Sequence, residues 1–241
     1  MQLTDSALPT GAFSHSFGLE AYLETGEVHD EATLLAWLEG FLAAQLTHTD
    51  AVVVRRAAQL AVALSRPDLG SPRDEVSAAQ GDFRGAGWDL AELDAELSAL
   101  LVPAQVRRAS LTMGRRLLEI ARDSFPSGAV EAYAAAVAEG RCDGHYAIAL
   151  ALAGAGQGIA TEILVEAYVY SALTSLAYNA VRAIPLGQLA GQRVLGALRA
   201  QVPGAVVRSA SLDPRHFGAA APALEIHQMR HEHQRARMFM S

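Results

Sequence analysis

The chain of 241 residues contains no lysine: all 19 of its basic side chains are arginine. That absence removes Walker-A, Schiff-base and kinase-type phosphate chemistry, each of which needs an amine at a fixed point. Cys142 is the single cysteine. It excludes an intrachain disulfide framework and a cysteine-based zinc site within one chain, and it fits a reducing compartment. Long apolar runs are missing too, since the longest apolar or small stretch, Ala147 to Gly156, is far shorter than the roughly 20 residues a bilayer span needs. The opening residues MQLTDSALPTG hold neither a basic stretch nor an apolar core, so no signal peptide is expected and a cytoplasmic protein is. A formal net charge of −7 argues against a general nucleic-acid binder, which needs a basic face to neutralise phosphates.

What the sequence does have is apolar content, 51% of its residues, enough for a buried core. Helical spacing recurs along most of the chain, and no segment alternates with period two over β-branched residues. An all-α, single-domain bundle of about eight to ten helices across residues 1–241 is therefore expected. Asp30 is placed to cap a long helix reaching about Leu64, with Leu35, Leu38, Leu42 and Leu46 at steps of three and four. Between Arg66 and Trp88, six glycines and prolines predict a loop. Helical spacing returns at Asp89 to Leu101. After Pro103 a helix is expected to about Arg122, with Val106, Ala109, Met113, Leu117 and Ile120 facing the core and Arg108, Arg115 and Arg122 on the opposite, basic side. Further helices are expected over Ala129–Glu139, His145–Ala155, Ile159–Ala183 and Leu186–Gln201, the third of them central because apolar groups surround much of it. A proline-bearing stretch then leads to a last amphipathic helix near Leu224.

Several residues suggest chemistry and then fail its other requirements. Gly154, Gly156 and Gly158 have the wrong spacing for a dinucleotide fingerprint and follow no strand, so close helix approach or a helix break accounts for them better. His227 and His231 stand four apart in the tail, with His233 near, but lack a matched third ligand; a solvated face is the favoured reading and no metal site is assigned. His15 lies between Ser14 and Ser16 without a nucleophile elbow, and a turn role after Pro9 and Gly11 fits it better than catalysis. No cofactor site and no catalytic constellation emerge, so the chain reads as a non-enzyme.

The opening QLTDSALPTGAFSHSFGLE, from Gln2 to Glu20, resembles the amino-terminal signature of the UreF family, roughly Q-L-x-D-S-x-L-P-x-G-x-[FY]-[ST]-x-S-x-G-L-E. Three later stretches agree in order: Arg107 to Arg115, Tyr170 through Arg182 and Pro185-Leu186-Gly187-Gln188 to Gln192, and the tail Met229 to Ser241. Where relatives often carry H-Y-P-V-x-F-G this chain reads His145 to Ala151 as HYAIALA, and its tail reads HQRARMF where many have Y-S-R-L-F. The chain also opens where relatives usually have several apolar residues already.

This resemblance implies an all-α urease accessory scaffold that binds UreD (also called UreH), recruits the GTPase UreG, and serves nickel delivery to apo-urease. It further implies a homodimer within a complex holding two copies each of UreD, UreF and UreG. The alternative is a UreF-like helical adaptor or regulator of another GTPase with no urease role. By position in the family motifs, Arg230, His231, Glu232, Arg237 and Phe239, in a partner-binding tail over 224–241, are expected to contact UreD. Phe13, His15 and Ser16 are expected on a complex-supporting surface. Arg182, Gln188 and Gln192, with Glu20, His48 and Asp50, are expected along a UreG-facing surface or nickel path.

Overall fold

The computed structural model describes residues 2–4, 8–11, 14–64, 89–218, 221–235 and 237–241, without the side chains at 63 and 64. Among them there is no strand, and the all-α bundle expected from the periodicity forms. The loop expected between Arg66 and Trp88 lies outside the described residues, as does Phe13.

The helices are α1 (Leu19–Glu24), α2 (Glu31–Phe41), a π-helical segment (Leu42–Asp50), α3 (Ala51–Leu64), α4 (Leu90–Leu100) and α5 (Ala104–Ser124). They continue as α6 (Gly128–Ala138), α7 (Tyr146–Gly156), α8 (Thr161–Ala183), α9 (Gln188–Ala210) and α10 (Pro222–His231). Their starts follow from local chemistry. Asp30 accepts the Thr33 N–H at 2.8 Å while the Thr33 hydroxyl oxygen accepts the Asp30 N–H at 3.0 Å. Asp89 and Glu92 make the same reciprocal box at α4, and Ser127 caps α6. Caps of this kind contribute about 1 kcal/mol each.

α7 is the innermost helix, packed against α3, α5 and α6, with every residue from Ala147 to Gly154 buried. The helix over 159–183, expected to be central, does pack against α1, α2, the π-helical segment, α3, α7 and α9, but it is less enclosed than α7. α8 leaves Ile163 54% and Tyr178 41% exposed, whereas α7 carries no polar side chain from Ala147 to Gly156 and is narrow enough to be enclosed on all sides. Its small residues permit close contact: a Cβ on Gly154 would run into Leu164. On α5, a Cβ on Gly114 would overlap the main chain of Gly144, His145 and Tyr146, so α5 touches the entry to α7 backbone to backbone. The two faces of α5 are as expected, with Val106, Ala109, Met113 and Leu117 buried, Ile120 half-buried, and Arg108, Arg115 and Arg122 exposed.

Two further departures have physical causes. α9 continues through Pro203 to Ala210. Pro203 sits on the exposed side and costs one helical hydrogen bond, while Val202, Ala205 and Val206 stay buried and hold the helix together. The long helix over 30–64 forms, but its middle nine residues are π-helical. There the Thr47 hydroxyl donates to the Leu42 carbonyl at 2.6 Å and His48 Nδ1 donates to the Ala43 carbonyl at 2.7 Å, side chains reaching back five residues. The wider turn aligns residues five apart, and Gln45 Nε2 thereby donates to the Asp50 carboxylate at 2.9 Å.

Candidate interaction site at the joined termini

The segment from Ser14 to Glu20 leads into α1 through two successive left-handed residues, Phe17 (φ 50°) and Gly18 (φ 93°). A side chain at Gly18 would meet Gln228 of α10, so both the backbone angle and the packing require glycine. Phe17 has no such freedom, and holding it there costs on the order of 1 kcal/mol. Neighbouring helices fix the loop: Asn179 Nδ2 of α8 donates to the His15 carbonyl at 2.7 Å, and Gln228 Nε2 donates to the Phe17 carbonyl at 3.0 Å.

So fixed, the loop aims its donors at the tail. The N–H groups of Ser16 (2.5 Å) and Phe17 (3.0 Å) and the Ser16 hydroxyl (2.6 Å) all donate to the main-chain oxygen of Ser241. His15 Nδ1 meets the Ser241 hydroxyl at 2.8 Å, and the Met240 N–H donates to the Ser14 carbonyl at 2.8 Å. Burial holds the His15 imidazole below its ordinary pKa, so it is neutral in the clasp. Glu20 completes the arrangement by accepting the N–H groups of Met238 (2.5 Å) and Phe239 (3.0 Å) and His231 Nε2 (2.7 Å). His231 Nδ1 meets Gln105 Oε1 of α5 at 2.8 Å. The Arg182 guanidinium lies 5.5 Å over the Phe239 ring and donates to Asn179. Along α10, His227 stacks on Tyr22 at 3.9 Å and bonds Glu27 at 3.2 Å.

Residues assigned from sequence to three separate surfaces therefore meet in one place. His15, Ser16, Glu20, Arg182, His231 and Phe239 form a single clasp between the two ends of the chain. Within it His231 is fully buried and Phe239 is 6% exposed, both turned toward the body, while Arg230, Glu232 and Arg237 face outward. Glu232 pairs with Arg108 of the basic face at 2.7 Å. Gln188 and Gln192 are exposed at the start of α9, where Gln192 bonds the Tyr178 hydroxyl at 3.1 Å.

His48 and Asp50 lie on the π-helical segment instead. Asp50 accepts from the Tyr168 hydroxyl at 2.7 Å and faces an internal cavity of about 70 Å³. Phe17, Tyr146, Leu176 and Gln228 also line this cavity, which places it beneath the clasp loop. Burial pushes the Asp50 carboxyl above the usual range, with the bonds from Tyr168 and Gln45 opposing that shift.

Sequence reasoning missed the amides that hold the clasp, Gln105, Asn179 and Gln228. The signal for Asn179 was present, as one polar residue within the apolar run of Leu173, Leu176, Ala177 and Ala180. It also missed a second polar cluster. Asp94 of α4 accepts from the Tyr133 hydroxyl and from the N–H groups of Asp143 (2.5 Å) and Gly144 (3.2 Å). Ser98 donates to Asp143 at 2.5 Å and meets His145 Nε2 at 2.8 Å, while Ser110 meets His145 Nδ1 at 2.9 Å. The ligand-type atoms of Asp94, Asp143 and His145 lie within 4.8 Å of one another, the group of three among the described residues with metal-ligating spacing. Each is already engaged by protein donors or acceptors, so the cluster closes as a hydrogen-bonded network. The tail histidines, by contrast, are spread over different partners: His227 over Tyr22 and Glu27, His231 over Glu20 and Gln105.

The UreF family model matches residues 28–199. The chain is 47% identical to the urease accessory protein UreF of Arthrobacter sp., an alignment covering all of this chain and 95% of that one. It is 45% identical to the urease accessory protein UreF of Paenarthrobacter aurescens, over all of this chain and 96% of the relative. Identity to the protein of the same name from Corynebacterium efficiens is 42%, over all of this chain and 95% of the relative. Of the clasp, His15, Ser16, Glu20, His231 and Phe239 lie outside the span of the family model and Arg182 lies inside it, while all six fall within these full-length alignments.

Proposed function

The chain belongs to the UreF family, and we propose that it acts in urease maturation as a non-catalytic scaffold in the cytoplasm. In this reading it binds UreD (UreH) and recruits the GTPase UreG on a different surface. As one of a pair in a complex with two copies of each subunit, it aligns nickel release with delivery to apo-urease.

The observation that carries this reading is the outer face of the clasped tail. Residues 239 and 241 point inward, and their neighbours point out: Met238 is 62% and Met240 65% exposed. Ile226 (48%) and Met229 (41%) of α10 are exposed beside Arg230, Glu232 and Arg237. Exposed, adaptable apolar side chains with a charged rim are what a protein-binding surface needs. We assign the UreD contact to this outer face, with His231 and Phe239 acting from beneath by holding it in shape. Arg182, Gln188 and Gln192, at the corner where α8 gives way to α9, are assigned to the UreG-facing side. Asp50, the one acidic side chain among the described residues lining the cavity, is assigned to the nickel path.

Co-expression with UreD and UreG, followed by size-exclusion light scattering, tests the assignment. A complex holding two copies of each subunit is expected, and it should be lost when Met238 and Met240 are both changed to Asp. A complex indifferent to those changes would remove the tail from the interface. Failure to form any complex would remove the scaffold reading itself.

A further inference from the structure

The contacts between the loop at 14–20 and residues 237–241 have the character of a receptor and its ligand. The loop side is built and braced without the tail's last residues: Asn179 and Gln228 hold its carbonyls, and Gly18 is pinned against α10. Its strained Phe17 angle exists where two adjacent N–H groups converge on one oxygen, the geometry of an anion- or carbonyl-binding nest. The tail side is read almost wholly through its main chain. Glu20 takes two consecutive N–H groups, the Ser14 carbonyl takes a third, and the nest takes the Ser241 oxygen. Two side chains are read as well, the Phe239 ring beneath Arg182 and the Ser241 hydroxyl at His15. Nor does the tail's attachment depend on these contacts alone. α10 is anchored independently by buried Leu224 and by His227 on Tyr22, so residues 237–241 can leave without unseating the helix.

We propose that residues 14–20 form a peptide-recognition site and that residues 237–241 occupy it as a separable ligand. The ligand class is a short peptide, bent at an aromatic residue two positions before the main-chain oxygen that enters the nest, and captured by its main-chain groups and one ring. The site accepts such a segment from another molecule whenever its own tail is displaced.

The test uses the full chain carrying Phe239→Ala, which weakens its own tail, and a fluorescent peptide with the sequence of residues 235–241. Saturable binding by anisotropy is expected. The same peptide with Ala in place of its phenylalanine should bind about tenfold more weakly, the loss of one anchoring side chain. Wild-type chain should bind the peptide more weakly than the variant does, because its own tail competes. Absence of saturable binding to folded variant, or equal binding of the two peptides, overturns the proposal. Hydrogen exchange on the wild-type chain is an independent check: the amides of Met238, Phe239 and Met240 should exchange at least about tenfold faster than those of α7. Exchange at the rate of α7 would show a tail that opens only with the whole fold, and would overturn the proposal equally. No partner protein enters either experiment, so both stand apart from the scaffold reading.

Discussion

Two polar clusters among the described residues are made of much the same residue types, and they differ in what they join. Around Asp94 and His145 the partners lie 12 to 51 residues apart, on α4, α5, α6 and the turn that leads into α7. In the clasp the His15 and Ser16 contacts span 164 to 226 residues. The Asp94 network is enclosed by α4, α5 and α6, and opening it means separating the helices that make the core. The clasp lies where the tail runs over the surface, and opening it exposes groups that water satisfies at once. A hydrogen bond replaceable by water has a net worth of about 1 kcal/mol, whereas a buried group left without its partner costs roughly 1–3 kcal/mol. Similar chemistry therefore makes a keystone in one place and a joint in the other.

The largest test of that contrast is Asp94→Ala. It leaves the Tyr133 hydroxyl and the N–H groups of Asp143 and Gly144 without their acceptor in the interior. A loss of more than about 3 kcal/mol of global stability is expected in chemical denaturation. Gly114→Ala should cost about 3 kcal/mol beside it, because the added methyl meets main chain that has no room to move. By comparison, Glu20→Ala removes three hydrogen bonds yet should lower global stability by only about 1–2 kcal/mol, while making residues 237–241 the first site of proteolysis. Equal global losses for Asp94→Ala and Glu20→Ala would erase the distinction between keystone and joint.

Acidification sharpens the same comparison. Burial holds His15 and His145 below the ordinary histidine value of 6.5, so both are neutral when folded. As pH falls through about 6.5 the unfolded chain takes up protons first, and stability declines until the folded-state values are reached; above that range neither residue contributes. Asp50 works with the opposite sign. Its carboxyl is raised above 3.8, so its burial penalty shrinks as the folded form protonates. His145→Gln should reduce the slope of global stability between about pH 7 and pH 5, measured by denaturant titration. His15→Gln should reduce that slope less, because local opening of the clasp lets His15 protonate without global unfolding, and should alter the pH dependence of hydrogen exchange at Met238 to Met240. A global slope unchanged by His145→Gln would mean that burial is not what sets its proton affinity.

Most of the fold was legible because helical periodicity and caps are local signals. Asp30 with Thr33, Asp89, and the two faces of α5 could all be read from residues a few positions apart. The π-helical turn was not legible, since its cause is a pair of side chains, Thr47 and His48, that bond back five residues, and nothing in the apolar spacing distinguishes that from four. Circumference alone did not identify the most enclosed helix: α8 touches many neighbours and buries Tyr168, but Tyr178 and its glutamates reach the surface, while the alanines and glycines of α7 do not. Family position pointed to many of the clasp's residues, including His15, His231 and Phe239, and Glu20 was named as a polar residue of an ion path. It could not show that these residues face each other, because that meeting is decided by contacts more than 200 residues apart.

The smallest predicted effect concerns two adjacent residues. Met238 and Phe239 are both large apolar side chains in a segment that bends at these two residues, and the bend turns one outward and the other inward. Phe239 is 6% exposed under Arg182, so Phe239→Ser should cost about 1–2 kcal/mol of tail attachment and raise hydrogen exchange at Met238 to Met240. Met238 is 62% exposed, and Met238→Ser should change global stability and tail exchange by less than about 0.5 kcal/mol. Its consequence belongs to association, where removing one adaptable apolar contact should weaken capture of UreD in a pull-down that Phe239→Ser weakens only by loosening the tail. Adding the second substitution to the first separates the two causes. If Met238→Ser further weakens capture by a chain whose tail is already loosened, the outer face makes contact in its own right. If it adds nothing, the tail matters only through the site it fills beneath.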